Sequence, residues 1–138
     1  MSTKSRFLLI TALLLASCTV VCGQGLKGEY FTNTILSGQP ALTRTENVDF
    51  NWGAESPGSP IGTDSFSVRW TGSLTPPVTG EYTFATRTDD GVRLWVGGDS
   101  VVNNWTDHSS ILNTGGPVLL EAGEPVSIRL EFYENGGD

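Results

Sequence analysis

Past residue 23 the chain has no cysteine and a single histidine, His108. Its two cysteines, Cys18 and Cys22, both stand near the N-terminus. A structural zinc cage, which needs several cysteines and histidines, is therefore excluded from the rest of the chain. So is a disulfide framework, unless Cys22 survives processing. An exported domain without disulfides must rely on its core or on a bound metal. Positive charge is scarce too. Lys4 and Arg6 lie in the first segment, which leaves six basic residues against fifteen acidic ones, a net charge of −9. Phosphate-backbone binding needs clustered Lys and Arg, so nucleic acid is an unsuitable partner. An acidic surface is compatible with calcium and with neutral ligands such as sugars. After the first segment no apolar run approaches the roughly 20 residues of a membrane-spanning helix.

What the N-terminus does contain is a short basic region, an apolar run from Phe7 to Leu15 broken by Thr11, and small residues from Ala16 to Gly23. This pattern predicts a secretory signal peptide over residues 1–23 and an extracellular destination. Cleavage after Gly23 is the favoured exit. Leu15-Ala16-Ser17-Cys18 is the alternative, a lipobox in which a lipid on Cys18 would anchor the chain at the cell surface. About 115 residues remain, enough for one domain with its own core.

Period-two alternation dominates that domain, which spans residues 24–138. Val68, Trp70 and Leu74 share one strand face, Tyr82, Phe84 and Thr86 a second, and Val92, Leu94 and Val96 a third. Val126, Ile128, Leu130 and Phe132 alternate most cleanly of all. Weaker strands are predicted at Gly25 to Phe31, at Val48 to Trp52, at Ser100 to Asn104 and at Pro117 to Leu120. Thr32 to Thr45, Gly53 to Ser65 and Thr106 to Gly116 read as loops. No segment has a helical period. Short strands at close spacing with Gly and Pro turns predict an all-β antiparallel sandwich.

Three segments carry a family resemblance: Phe66 to Gly72, Gly80 to Phe84, and Thr88-Asp89-Asp90-Gly91-Val92-Arg93-Leu94-Trp95-Val96. Asn104-Trp105, Leu120 to Gly123 and Ile128 to Asn135 continue it. In this order and spacing they resemble the PA14 domain family, named after a bacterial protective-antigen toxin. The resemblance implies a β-sandwich found in secreted glycosidases, adhesins, toxins and signalling proteins, with carbohydrate binding as its commonest role. In the fungal adhesin branch an aspartate pair coordinates a calcium ion that binds sugar hydroxyls. That pair maps onto Asp89 and Asp90. A later asparagine completes the site there, and Asn103, Asn104 and Asn113 are the candidates, with Asn104 taken as the metal ligand. The family's last strand has no counterpart before Asp138, so a C-terminally incomplete domain with an open sheet edge is expected.

Two readings of Asp89-Asp90-Gly91 compete. Adjacent carboxylates suit a hard cation that takes six to eight oxygens. Asp-Gly is equally a favoured hairpin turn, and Arg87 and Arg93 flank it and could neutralise the pair. Among the tryptophans, Trp70 is in phase with the core and Trp95 is out of phase with Leu94 and Val96. Trp105, at the start of a loop, is the best candidate for an exposed sugar-stacking platform. Asp107-His108 has no partner histidine, and no serine occupies a nucleophile elbow. The expectation is a non-catalytic, secreted module that binds glycans such as cell-wall or surface polysaccharide, with calcium through Asp89, Asp90 and Asn104. Asn103, Asn113 and Trp105 would join Asp89 and Asp90 at the ligand. A structural or protein-interaction module without metal is the alternative.

Overall fold

A computed structural model describes residues 10–11 and 25–136. The expected signal peptide, with Cys18, Cys22 and both exits, lies outside the described residues except for Ile10 and Thr11. Nine strands and no helix occur among the described residues: β1 (Ile10–Thr11), β2 (Leu26–Phe31), β3 (Leu42–Glu46), β4 (Phe66–Leu74), β5 (Gly80–Thr88), β6 (Val92–Val96), β7 (Asp99–Asn104), β8 (Ile111–Leu120) and β9 (Val126–Glu134). They form a six-stranded sheet, ordered β3-β2-β4-β9-β6-β7, and a three-stranded sheet, β1-β5-β8. Every pairing is antiparallel. The all-β antiparallel sandwich is thus the fold the chain adopts.

The alternation explains why. Val68, Trp70 and Leu74 of β4, Leu94 and Val96 of β6, and Ile128, Leu130 and Phe132 of β9 point inward from the larger sheet. Tyr82 and Phe84 of β5 meet them from the smaller one. Side chains two residues apart share a face, so each strand buries one row and solvates the other. Removal of this apolar surface from water is the dominant favourable contribution to folding.

Three expected elements differ. Leu42–Glu46, placed in a loop by its polar residues, is strand β3. Its inward row is Leu42, Arg44 and Glu46, so two of its three inward positions are charged and the apolar alternation is lost. Instead Glu46 accepts hydrogen bonds from Tyr30 Oη and, at 2.8 Å, from Trp70 Nε1, and it pairs with Arg44. Burial, reinforced by the Glu46 carboxylate, pushes the Tyr30 phenol well above its usual range. Residues 48–52, expected as a strand, form none beyond a single bridge at Asn51. The alternating Phe50 and Trp52 are instead a lid on the core: they stack at 4.9 Å, and Phe50 also stacks on Trp70 at 6.1 Å. Last, the strand expected from Pro117 already starts at Ile111. Its first half, Ile111-Leu112-Asn113-Thr114-Gly115, shows no apolar alternation: Ile111 and Leu112 are both exposed, and the half-buried positions are Asn113 and Gly115.

Candidate functional site

Three segments meet at one end of the sandwich: the β5–β6 turn at Asp89-Asp90-Gly91, the β7–β8 connection from Trp105, and the chain leaving β9. Asp90 is the hub. It continues the inward phase of Tyr82, Phe84, Thr86 and Thr88 and is only 4% exposed. Its Oδ1 accepts the backbone N–H of His108 at 3.0 Å, and its Oδ2 accepts the backbone N–H of Asn135 at 2.9 Å. Asp89 is half-buried beside it, and the peptide bond joining them is cis.

Tyr133 covers the turn. Its backbone N–H donates to Gly91 O at 3.1 Å. Its ring occupies the space a side chain at 91 would need, since a Cβ there would fall 2.1 Å from Tyr133 Cε1. Gly91→Ala is therefore expected to destabilise the domain by about 1–3 kcal/mol through overpacking. Urea unfolding checks this, and an unchanged midpoint would mean that Tyr133 yields without cost.

The Tyr133 hydroxyl donates to Asp107 Oδ1 at 2.7 Å, and Asn135 Nδ2 donates to Asp107 Oδ2 at 3.0 Å. These two donors hold the Asp107 carboxyl below the usual carboxylate range. Burial first, then acceptance by Asp107, raises the Tyr133 phenol above its ordinary value. Asn104 and Asn113 are locked together: Asn104 Nδ2 donates to Asn113 Oδ1 at 3.1 Å, while the Thr106 hydroxyl donates to Asn104 Oδ1 at 2.8 Å. Asn113 stands opposite Thr86 in the β5–β8 register, on the inward side.

Of the expected site residues, Asp89 and Asp90 share the turn, Asn104 stands opposite Val92, two residues past Asp90, and holds Asn113, and Trp105 reaches the turn through Tyr133. Asn103 does not join them. It pairs with Arg93 in the β6–β7 register and faces outward on the larger sheet. Trp105 is half-buried rather than open, because Tyr133 packs edge-on against it at 4.8 Å and Arg93 Cζ lies 3.9 Å from its ring centroid. Nor is Arg93 a counter-ion reserved for the aspartates, since its Nη2 pairs with Glu131 Oε2 at 2.7 Å. Arg87 is exposed. Sequence reasoning missed the roles of Asp107, Tyr133 and Asn135. They lie far from residue 90 along the chain, and no spacing rule links them to it.

The oxygen donors near the turn are two adjacent carboxylates, Asp107, and the amide oxygens of Asn104 and Asn113, and the one ring nitrogen beside them is His108 Nε2, which is buried without a hydrogen-bond partner among the described residues. The Thr86 and Thr88 hydroxyls and Asn113 Nδ2 are buried without a hydrogen-bond partner among the described residues. The oxygens among them are of the type a hard cation such as calcium takes, and a single histidine without cysteine does not make a structural zinc site. Among the described residues no three His, Cys, Asp or Glu side chains form a metal cluster, so amide and backbone oxygens would have to complete the shell.

Fold and site together define a β-sandwich module with an acidic, oxygen-lined end formed by its turns. The family model described as "PA14 domain" matches residues 23–138, and the chain belongs to that family. The chain is 41% identical over 113 residues to the anti-sigma-I factor RsgI3 of Acetivibrio thermocellus, which covers 82% of this chain and 17% of that protein. It superposes with a TM-score of 0.72 and 40% identity on an anti-sigma factor domain-containing protein from Clostridium clariflavum, over 82% of this chain and 38% of that one. A PA14 sugar-binding domain from an RTX adhesin shares the fold at a TM-score of 0.60 and 23% identity, over 83% and 84% of the two chains. The chain therefore spans less than a fifth of the curated relative it matches.

Proposed function

We propose that this chain is a secreted, non-catalytic carbohydrate-binding module that engages glycans, such as those of a cell wall or cell surface, through its Asp89-Asp90 end with the help of calcium. The observation that supports this reading is the buried Asp90 carboxylate beside Asp89 in the β5–β6 turn, with Asn104 opposite Val92 two residues further on and bonded to Asn113. Asp89, Asp90 and Asn104 would hold the ion, which supplies positive charge for vicinal hydroxyls. The Asn113 amide keeps Asn104 oriented, and the two backbone N–H donors fix the Asp90 carboxylate. Trp105 would offer aromatic ring surface to a sugar's C–H face. A Cys18 lipid would tether the same module at the surface.

Calcium binding confined to the folded state must raise the melting temperature, by the equivalent of about 2.7 kcal/mol at a hundredfold excess over Kd. The expected result is a calcium-dependent rise in Tm that chelation reverses and that Asp89→Asn with Asp90→Asn abolishes. Glycan binding should fall in parallel. No Tm shift at millimolar calcium, the weak end for extracellular sites, would remove calcium from the proposal. Release of reducing sugar from glycosides by the purified chain would overturn the non-catalytic reading.

A second reading rests on the regulatory names of the relatives at about 40% identity. In it the module is the recognition part of a larger signalling protein and acts through protein contacts. Retained partner binding in the double asparagine variant, with no glycan bound by either form, would favour it.

A further inference from the structure

The outward face of the six-stranded sheet carries charge of the opposite sign to the rest of the chain. Strand registers place Lys27 and Glu29 of β2, Arg69 of β4, Arg129 and Glu131 of β9, and Arg93 of β6 on this face. Four cations there meet two carboxylates, on a chain whose total is −7. The surplus is localised. Lys27 is paired with Glu29. Glu131, nearly buried, accepts Arg69 Nε on Oε1 at 2.9 Å and Arg93 Nη2 on Oε2 at 2.7 Å. Arg129 Nε stands 3.8 Å from the Oε1 that Arg69 already uses, beyond hydrogen-bond distance. Its side chain is 48% exposed.

Arg129 is nonetheless held in place. Its Cζ lies 3.9 Å from the centroid of the Trp95 ring, and the two residues are direct register partners across β6 and β9. Stacking occupies the face of a guanidinium and leaves its in-plane N–H donors available for a planar acceptor such as a carboxylate. Thr71 is its register partner on the other side, in β4. Beside this row lies a hollow of about 370 Å³, lined by Trp95, Arg129, Thr71, Ser127, Gly72 and Gly98. That volume falls at the lower end of the range for small-ligand sites.

We propose that this hollow is a second saccharide site, separate from the Asp89-Asp90 end, and that it takes a uronic acid residue of an acidic polysaccharide. The carboxylate accepts the in-plane donors of Arg129. Ring hydroxyls meet the side chains of Thr71 and Ser127, and the indole of Trp95 supplies an apolar wall for C–H groups. The combination selects the ligand: a cation with no full partner calls for an anion, hydroxyls and an indole in one small hollow call for a sugar, and the chain's overall negative charge disfavours densely charged nucleic acid. No metal takes part, so the site works in the presence of a chelator. The proposal does not depend on the calcium reading.

The test is an NMR and calorimetric titration of the isotopically labelled chain in chelator, with tri-galacturonate, its neutral tri-galactose counterpart, and tri-glutamate. Tri-galacturonate is expected to bind, to shift the Trp95 indole and Ser127 amide signals, and to bind more weakly as salt is raised. Arg129→Gln is expected to weaken binding about tenfold or more, because a bidentate charged contact is lost, and Arg129→Lys to recover part of it. Equal binding of the neutral sugar, equal binding of tri-glutamate, an unaffected Arg129→Gln variant, or absence of shifts at Trp95 with the unaltered chain would each overturn the proposal.

Discussion

Asp90→Ala is expected to destabilise the domain by about 3 kcal/mol or more and to loosen two segments that lie far apart in sequence. The buried carboxylate accepts the N–H of His108 from the β7–β8 connection and the N–H of Asn135 beyond β9. Hydrogen bonds to a charged acceptor are worth about 1.5–3 kcal/mol each, and truncation leaves two backbone donors without an acceptor. Asp90→Asn should fall between, since one oxygen remains but an amide N–H₂ must face a backbone N–H. Amide exchange checks the mechanism: protection should drop together at His108 and Asn135 in Asp90→Ala, while the β4–β9 ladder keeps its order of protection. A loss under about 1 kcal/mol, or unchanged exchange at both amides, would mean that Asp90 is not the hub its geometry indicates. The effect exists without any metal. A calcium-dependent increment on top of it, present in the native chain and missing in the variant, separates the ion's contribution from the fastening.

How much of this was legible beforehand follows a physical divide. Apolar alternation was readable because the side-chain period of a strand is fixed at two. It placed β4, β5, β6 and β9 and put Trp70 in the core and Trp95 on the outer face. Where an inward position is polar, the signal disappears. β3 was missed because Arg44 and Glu46 point inward, and their acceptability depends on Tyr30 and Trp70, contributed by two other strands. Alternation also misled at Val48, Phe50 and Trp52, where aromatic residues cover the core without pairing into a sheet.

The same divide runs through the candidate site. Asp89 and Asp90 drew notice because adjacent carboxylates are costly unless something satisfies them. The satisfaction of Asp90 is tertiary: two backbone amides, from residues 108 and 135, that no local pattern announces. The flanking arginines looked like local counter-ions, yet β6 alternation turns Arg93 to the outer face, where Glu131 of β9 claims it. Sequence neighbours on a strand face opposite sides of the sheet, so adjacency along the chain is a poor guide to ion pairing. The cationic surplus at Arg129 was invisible for the converse reason. It arises only when Arg69, Arg93 and Arg129 arrive from three strands around one carboxylate.

Trp70→Ala is expected to cost about 3–5 kcal/mol, the range for deleting a fully buried large aromatic. Trp70 is inaccessible to solvent. It stacks against Phe50 at 6.1 Å and meets Tyr30 edge-on at 6.1 Å. Its role is also polar. Nε1 donates to Glu46 Oε1 at 2.8 Å, and Gly28 leaves room for that contact, because a Cβ at 28 would lie 2.6 Å from Glu46 Oε1 and 2.9 Å from Trp70 Nε1. Trp70→Phe divides the two contributions. It keeps most of the ring contacts and removes one donor to a half-buried carboxylate that still has Tyr30 and Arg44, so about 1–2 kcal/mol is expected. Denaturant unfolding of both variants, with m compared to the native chain, measures the difference. If Trp70→Phe costs as much as Trp70→Ala, the hydrogen bond to Glu46 rather than packing holds β3 against the rest of the sheet, and Glu46→Gln should then reproduce most of the loss. If Trp70→Ala costs the larger amount, as expected, then β3 is held mainly by the aromatic layer of Tyr30, Phe50, Trp52 and Trp70, and its inward polar pair is tolerated because that layer shields it.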